Sequence, residues 1–371
     1  MAGTTDTRWS IPLAGTEIGD EEIAAVTRVL NSGWLTAGSE TASFEAEFAQ
    51  AAGVAHALAL ANGTAALHLA NLALGLGPGD EVLCPALTFV ASANASRYTG
   101  AEVVFCDAIG PHDLTIDPAD IERKITPRTK AITVVHYAGF PCRMDAILSI
   151  AAAHGLAVIE DCAHAPLARG LGSFGAVGAF SFFGNKNMTT GEGGMLTTND
   201  GRVAEFVRRH RSHGMTTASY DRFRGHAHGY DVTALGYNYR IDDVRSAIGR
   251  VQLAKLGDLN ERRRRVFRWY LEDLSGIDYI VVPFADRDLE TATPHIMSVV
   301  VRKGAKALRD RLTEAGIQSS RHYDLVTSFS IYRDARGATP VAAGLELLTL
   351  PFGPSLTREQ VALIGSVVRA A

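Results

Sequence analysis

No stretch of the 371-residue sequence is apolar for long enough to cross a bilayer, and its opening, MAGTTDTRWS, lacks the apolar core of a signal peptide. Both absences point to the cytoplasm. Cysteine is scarce: Cys84, Cys106, Cys142 and Cys162 are too far apart for a CxxC zinc or redox pair or a small disulfide scaffold. Four buried thiols are expected, and no metal site. Excess basic charge is missing too. With 36 Lys and Arg against 40 Asp and Glu the net charge is −4, which excludes the basic footprint of a nucleic-acid binder. Two arginine-rich runs, Arg208–Arg211 and Arg262–Arg265, are the exceptions, and the second, inside a helical pattern, is expected on a solvated helix face or an interface rim. Lysine is the rarest charge of all, six residues against thirty arginines. That scarcity makes Lys186, in SFFGNKNMTTGEGGM, conspicuous.

What is present is a globular composition, 47% apolar and 20% charged, long enough for a large domain and a smaller one. Acidic first turns and glycine stops mark helices at GDEEIAAVTRVL and SETASFEAEFAQAAG, the second with Ser39 as its expected N-cap. Short apolar runs then alternate with helical patterns: HALALAN and GTAALHLANLALGLG, GDEVLCPA and FVASANASRYTG, KAITVVHYAG and MDAILSIAAAHG, LAVIEDCAHA. GAVGAFSFF and GGMLTTND read as two strands flanking the lysine loop. This rhythm predicts an α/β fold with a mostly parallel central sheet over residues 1–250. A long helical pattern, VRSAIGRVQLAKLGDLNERRRRVFRWYLEDL, leads into TPHIMSVVVR, ALRDRLTEAG and REQVALIGSVVRAA, a small α+β domain over 251–371.

In open α/β sheets ligands sit beyond the carboxyl ends of the strands, and four candidates fall there. ANGTAALHL runs from a strand into a helix, so Gly63, Thr64 and Ala65 form either an anion site or a plain capped turn; no Walker lysine follows. Asp161, ending an apolar strand, needs a partner such as a protonated ring nitrogen, or else caps a nearby helix. His164 could touch the same ligand or be a core histidine, and Glu160 points the other way as a structural acid. Phe89, where strand gives way to helix, could stack on a flat heterocycle or be core. Lys186 in a desolvated pocket would become an amine nucleophile, with Ser181 before it and glycines behind it for close backbone approach. Phosphate site, ring-nitrogen acid, stacking aromatic and Schiff-base lysine together describe a pyridoxal 5′-phosphate site. Arginine could not take the place of Lys186, because its guanidinium stays protonated and is a poor nucleophile.

With those motifs in order, the chain resembles the DegT/StrS sugar aminotransferases, of the aspartate-aminotransferase-like fold type I. The likeness runs from IPLAGTEIGDEE through NGTAALHLA, PALTFVASANA, EDCAHA and SFFGNKNMTTGEGGM to LGYNYRIDDVRSAIG and TLPFGPSLTREQ, and is strongest with the GDP-perosamine synthase branch. The resemblance implies that Lys186 binds the cofactor and shuttles protons, and that Asp161 pairs with the pyridine nitrogen. Gly63, Thr64, Ala65 and Ser181 would hold the phosphate, with Phe89 on the ring and His164 near its hydroxyl. GYNYR implies a homodimer with shared sites, Asn238 reaching the partner's phosphate and Arg240 lining the shared pocket. The implied reaction moves an amino group, usually from L-glutamate through the pyridoxamine phosphate form, to a nucleotide-linked keto-deoxysugar. A keto-cyclitol or aminoglycoside precursor is the alternative acceptor, and a non-catalytic regulatory relative the alternative class. Where the family commonly has HYxPxH this chain reads RHYDLVTSF, keeping His322 and Tyr323 as candidate substrate residues. His136 and Asp145 are expected to be structural.

Overall fold

The structure, a computed structural model, describes residues 9–217, 220, 225 and 229–371; residues 1–8 of the opening stretch read above lie outside them. Its centre is a seven-stranded sheet built from β1 (His56–Leu60), β2 (Glu81–Pro85), β3 (Glu102–Cys106), β6 (Thr129–Val135), β7 (Ala157–Asp161), β8 (Val177–Ser181) and β9 (Gly194–Thr198). Between β3 and β6 the small antiparallel pair β4 (Ala108–Gly110) and β5 (Asp113–Ile116) stands apart. The order is β1-β9-β8-β7-β6-β2-β3, parallel throughout except for β9, which runs against both its neighbours. The strands are buried almost along their whole lengths, as expected of a sheet covered on both faces, so their sequences read as apolar runs without alternation. Since only β9 is reversed, β1, β7 and β8 all end on one edge of the sheet. That edge carries the site.

A second sheet, β10 (Ile280–Val281), β11 (Met297–Val301) and β12 (Glu346–Leu350), is antiparallel and shares a core with the helices Ala305–Glu314 and Arg358–Arg369. The helix Asp243–Leu274 runs unbroken for 32 residues, so the expected boundary at 250/251 falls inside it. Leu256 packs with the large domain's aromatic cluster, whereas Val266, Phe267, Tyr270 and Leu274 belong to the core of the second sheet. One rigid element thereby ties the two units together.

The helix Ser39–Ala52 corrects one sequence expectation. Its N-cap position is Gly38, with Ser39 the first helical residue. The capping oxygen comes from 205 residues away: Asp243 accepts from the Gly38 N–H at 2.7 Å, and also from the Thr41 N–H at 3.0 Å and the Thr41 hydroxyl at 2.7 Å. A side chain at position 38 would collide with the Trp34 indole, at 2.5 Å from a Cβ placed there. All four cysteines are buried and free, and among the described residues no helix is long and apolar enough to cross a membrane.

Candidate active site

β1 ends at Leu60 and the chain turns directly into the helix Gly63–Ala73, whose N-cap Asn62 accepts from the Ala65 N–H at 2.8 Å. A helix start leaves further amides unbonded and carries positive partial charge. Beside it stand two hydroxyls, on Thr64 and Ser181, that have no protein partner among the described residues and line a cavity of about 730 Å³. Only glycine fits at 63, because a Cβ there would lie 2.9 Å from the Ser181 Cβ. Backbone amides, two free hydroxyls and close packing make a cradle for a tetrahedral anion.

β7 delivers Asp161 to the floor of the cavity, 5% exposed. Its oxygens accept from the Ser92 hydroxyl at 2.7 Å and the Ala163 N–H at 3.1 Å, both neutral donors. Burial therefore holds the carboxyl above its ordinary range, against the pull of those two hydrogen bonds. The charges of Lys186 and His136 act on it only through space, and a pyridinium N–H in the cavity would supply a cationic hydrogen-bond donor. Next to Asp161 on the same strand, Glu160 faces away and is structural: it accepts from Gly172 N–H at 3.0 Å, Gly175 N–H at 2.7 Å and His136 Nε2 at 3.1 Å. His136, Glu160 and Cys162 stand close enough to hold a metal ion, yet Glu160 already spends its oxygens on those donors.

Lys186 stands on the turn after β8, in the 12-residue connection to β9 that also carries Phe183, Asn185 and Glu192 to the cavity. Burial brings its ammonium down to about 8, opposed only by the charge of Asp161. At neutral pH a useful fraction is free amine, the form a carbonyl requires. Phe89 crosses the cavity mouth, 55% exposed and 5.8 Å from the Tyr323 ring. An aromatic left that open at a cavity is free to lie on a flat ring.

The opposite wall lies where the second unit meets the first, and His164, His322 and Tyr323 there are hydrogen-bonded to protein groups. His164 is buried; its Nδ1 accepts the Ala138 N–H at 3.2 Å, so its proton sits on Nε2, 2.8 Å from the Tyr323 hydroxyl. The Thr349 hydroxyl accepts the His322 N–H at 3.2 Å and lies 3.1 Å from His322 Nδ1. Burial and the Lys186 charge lower His322 to about 4, so it is neutral. Tyr137 also donates to the His322 carbonyl.

The structure thus gathers Gly63, Thr64, Ala65, Phe89, Asp161, His164, Ser181, Lys186, His322 and Tyr323 around one cavity. Asn238 and Arg240 do not line it. They flank Tyr239, which does, on a segment bridged to Leu60 and Ser212. Asn238 is exposed, and Arg240 is half-buried with the Ser212 hydroxyl at 3.1 Å. Sequence reasoning missed Ser92, which holds Asp161, and His295, which lines the cavity beside Lys186. Ser92 carried a weak signal, one helical turn from the Thr88 hydroxyl it meets at 2.9 Å. His295 carried none.

Each part of pyridoxal phosphate has a counterpart here. The cradle at Gly63, Thr64 and Ser181 suits the phosphate, the buried Asp161 the ring nitrogen, the open face of Phe89 the ring and the low-pKa Lys186 the aldehyde. Comparison with known proteins agrees. Residues 16–369 match the DegT/DnrJ/EryC1/StrS aminotransferase family. The spore coat polysaccharide biosynthesis protein SpsC of Bacillus subtilis is 39% identical, over 97% of this chain and 96% of its own. Two solved structures superpose along nearly the full length. The aminotransferase TlmJ of Streptoalloteichus hindustanus is 34% identical with a TM-score of 0.88, covering 97% of this chain and 98% of its own. DesV of S. venezuelae, solved with a ketimine intermediate, is 36% identical with a TM-score of 0.86, covering 94% of each.

Proposed function

Because the chain belongs to the DegT/DnrJ/EryC1/StrS aminotransferase family, and is a sugar aminotransferase dependent on pyridoxal 5′-phosphate, we propose that it transfers the amino group of L-glutamate to the ketone of a nucleotide-linked keto-deoxysugar. The observation that carries this reading is the pairing of Lys186 and Asp161 in one cavity with the free hydroxyls of Thr64 and Ser181. Support for a sugar acceptor comes from the cavity rim, where Asn185, Glu192, Tyr98 and His322 offer donors and acceptors to a polyhydroxylated ring. A relative named for polysaccharide biosynthesis points the same way.

When bound, the cofactor supplies an aldehyde for a Schiff base and a ring that accepts the electron pair left by a broken C–H bond. The chain's own residues do the rest. Thr64, Ser181 and the Gly63–Ala65 amides anchor the phosphate, and Asp161 keeps the ring nitrogen protonated. Ser92, and Thr88 behind it, fix the direction of the Asp161 carboxylate. Lys186 Nζ takes the proton from the α-carbon of the amino donor, holds it, and returns a proton on the acceptor side. Phe89 and Tyr323 close over the ring and limit water.

The active form is read as a homodimer in the cytoplasm. Asn238 and Arg240 lie outside their own cavity on an exposed segment, and large apolar side chains stand open around the mouth, Phe89, Tyr98 and Phe183 among them. A second copy laid over this face would bury those rings and bring Asn238 to the neighbouring phosphate.

The test is an absorbance spectrum of the protein loaded with pyridoxal phosphate, before and after L-glutamate, followed by a screen of keto-sugar nucleotides. The expected result is a visible band that bleaches with glutamate and returns with one class of acceptor. A band indifferent to glutamate overturns the donor, and recovery with a free keto-cyclitol but no sugar nucleotide overturns the acceptor.

A further inference from the structure

Four imidazoles stand in or just behind the cavity, those of His136, His164, His295 and His322, and hydrogen-bond partners orient each of them. For His136 and His164 a backbone N–H, of Cys142 and Ala138 respectively, donates to Nδ1 at 3.2 Å. A backbone amide cannot accept, so the His164 ring, which burial and the Lys186 charge keep neutral, carries its proton on Nε2. His164 accordingly donates to Tyr323, whose own proton is left pointing elsewhere, and the phenol presents a donor.

His295 is set the other way. Its Nδ1 is 2.9 Å from Asn187 Oδ1. The orientation of that carboxamide is fixed, because its Nδ2 donates to the Thr293 carbonyl at 3.1 Å, the Pro294 carbonyl at 3.4 Å and Asn260 Oδ1 at 3.2 Å. Reversing the amide would set an oxygen against two backbone carbonyls. Asn187 therefore faces His295 with an acceptor, and Nδ1 must carry the proton. Nε2 has no protein partner among the described residues, and the ring lines the cavity shared with Lys186. The ring is kept neutral by its surroundings: burial, the nearby positive charges of Lys186 and Arg263, and His164 and His322 hold it well below the ordinary histidine range. Arg263 also donates to the His295 carbonyl at 3.3 Å, and the His164 ring lies 4.5 Å away, so the imidazole cannot swing out. Among the described residues Lys186 Nζ has no hydrogen bond, and its Coulomb partner is Asp161.

We propose that His295 is a positioning residue for Lys186: its bare Nε2 accepts a hydrogen bond from Nζ whenever that amine is released, and aims it at the carbon whose proton it moves. Asn187, the residue after the lysine, sets the polarity of the contact, so lysine and acceptor are fixed by the same turn. No proton changes owner in this contact; Nζ, as amine or ammonium, only donates. The inference rests on the aminotransfer reading of the site, and its first readout does not depend on activity.

That readout is the tautomer. In wild-type holoenzyme labelled with ¹⁵N-histidine, the resonance lost in a His295→Leu variant is expected to show a protonated Nδ1 and a bare Nε2. A proton on Nε2, or on both nitrogens, overturns the proposal. The second is stopped-flow bleaching with glutamate. His295→Leu is expected to slow the first-order step by about 10- to 100-fold while the half-saturating glutamate concentration changes less than about threefold. His295→Gln, whose amide oxygen can stand where Nε2 stood, recovers most of the rate. An unchanged rate in the leucine variant, or equal losses in both, also overturns it. A wild-type protein that bleaches with no amino donor counts against the proposed function, and the tautomer then decides this inference alone.

Discussion

The two walls of the cavity are built on opposite principles. The wall at the strand ends of the seven-stranded sheet leaves its groups wanting: among the described residues Thr64 and Ser181 have free hydroxyls, Asp161 has only neutral hydrogen-bond donors, and Lys186 has a charge without a hydrogen bond. The wall from the second unit is finished. His322 meets Thr349, and Tyr323 meets His164 from across the domain junction. Buried polar groups normally find partners, so a concentration of unpaired ones marks where a ligand completes the structure. In the proposed reading unmet valences hold the cofactor, and met ones leave a rigid template with one donor or acceptor turned inward.

Breaking the first wall should have the largest effect. Asp161→Asn keeps the shape and leaves Ser92 a partner, but removes the buried charge on the cavity floor that would hold a ring nitrogen protonated. Bleaching with glutamate, followed by stopped flow, should slow by about a hundredfold or more. A loss no larger than that from Tyr323→Phe would mean that the two walls do not differ in the way described.

Next come the free hydroxyls. Thr64→Ala and Ser181→Ala each remove a donor to a dianion, worth about 1.5–3 kcal/mol, so cofactor affinity should weaken roughly ten- to a hundredfold. Equilibrium dialysis measures that, and the rate at saturating cofactor should stay near wild type. Because neither hydroxyl has a protein partner among the described residues, the fold should lose little, and a thermal shift of the cofactor-free protein checks it.

The contrast also explains what could be read from the sequence. Lys186, Asp161 and the NGT turn sit where apolar runs stop, and an unpaired group at such a stop stands out locally. That two strands flank the lysine turn was legible for the same reason, since β8, the turn and β9 are contiguous, whereas the order of the strands in the sheet was not. Finished groups are not legible in that way. His295 opens an apolar run and is given its role by Asn187, 108 positions earlier, which is in turn held by Asn260. Asp243 caps a helix whose first turn lies more than 200 positions away, and so Ser39 looked like the cap. Local pattern shows a need; only the fold shows how it is met.

The smallest effect should follow from loosening the finished wall. Thr349→Val is nearly isosteric in a position 1% exposed, and it removes the hydroxyl that meets both the N–H and the Nδ1 of His322. About 1 kcal/mol of hydrogen bonding is lost, and His322 can then turn. Since nothing in the cradle is touched, cofactor affinity and the glutamate half-reaction should hold. If the acceptor meets His322 at the rim, as proposed, its KM should rise by about fivefold with kcat nearly unchanged. Steady-state kinetics with the sugar nucleotide separates the two. A fall in cofactor affinity of the size seen with Ser181→Ala would show that the second wall also carries the cofactor, and that the division of labour between the walls is false.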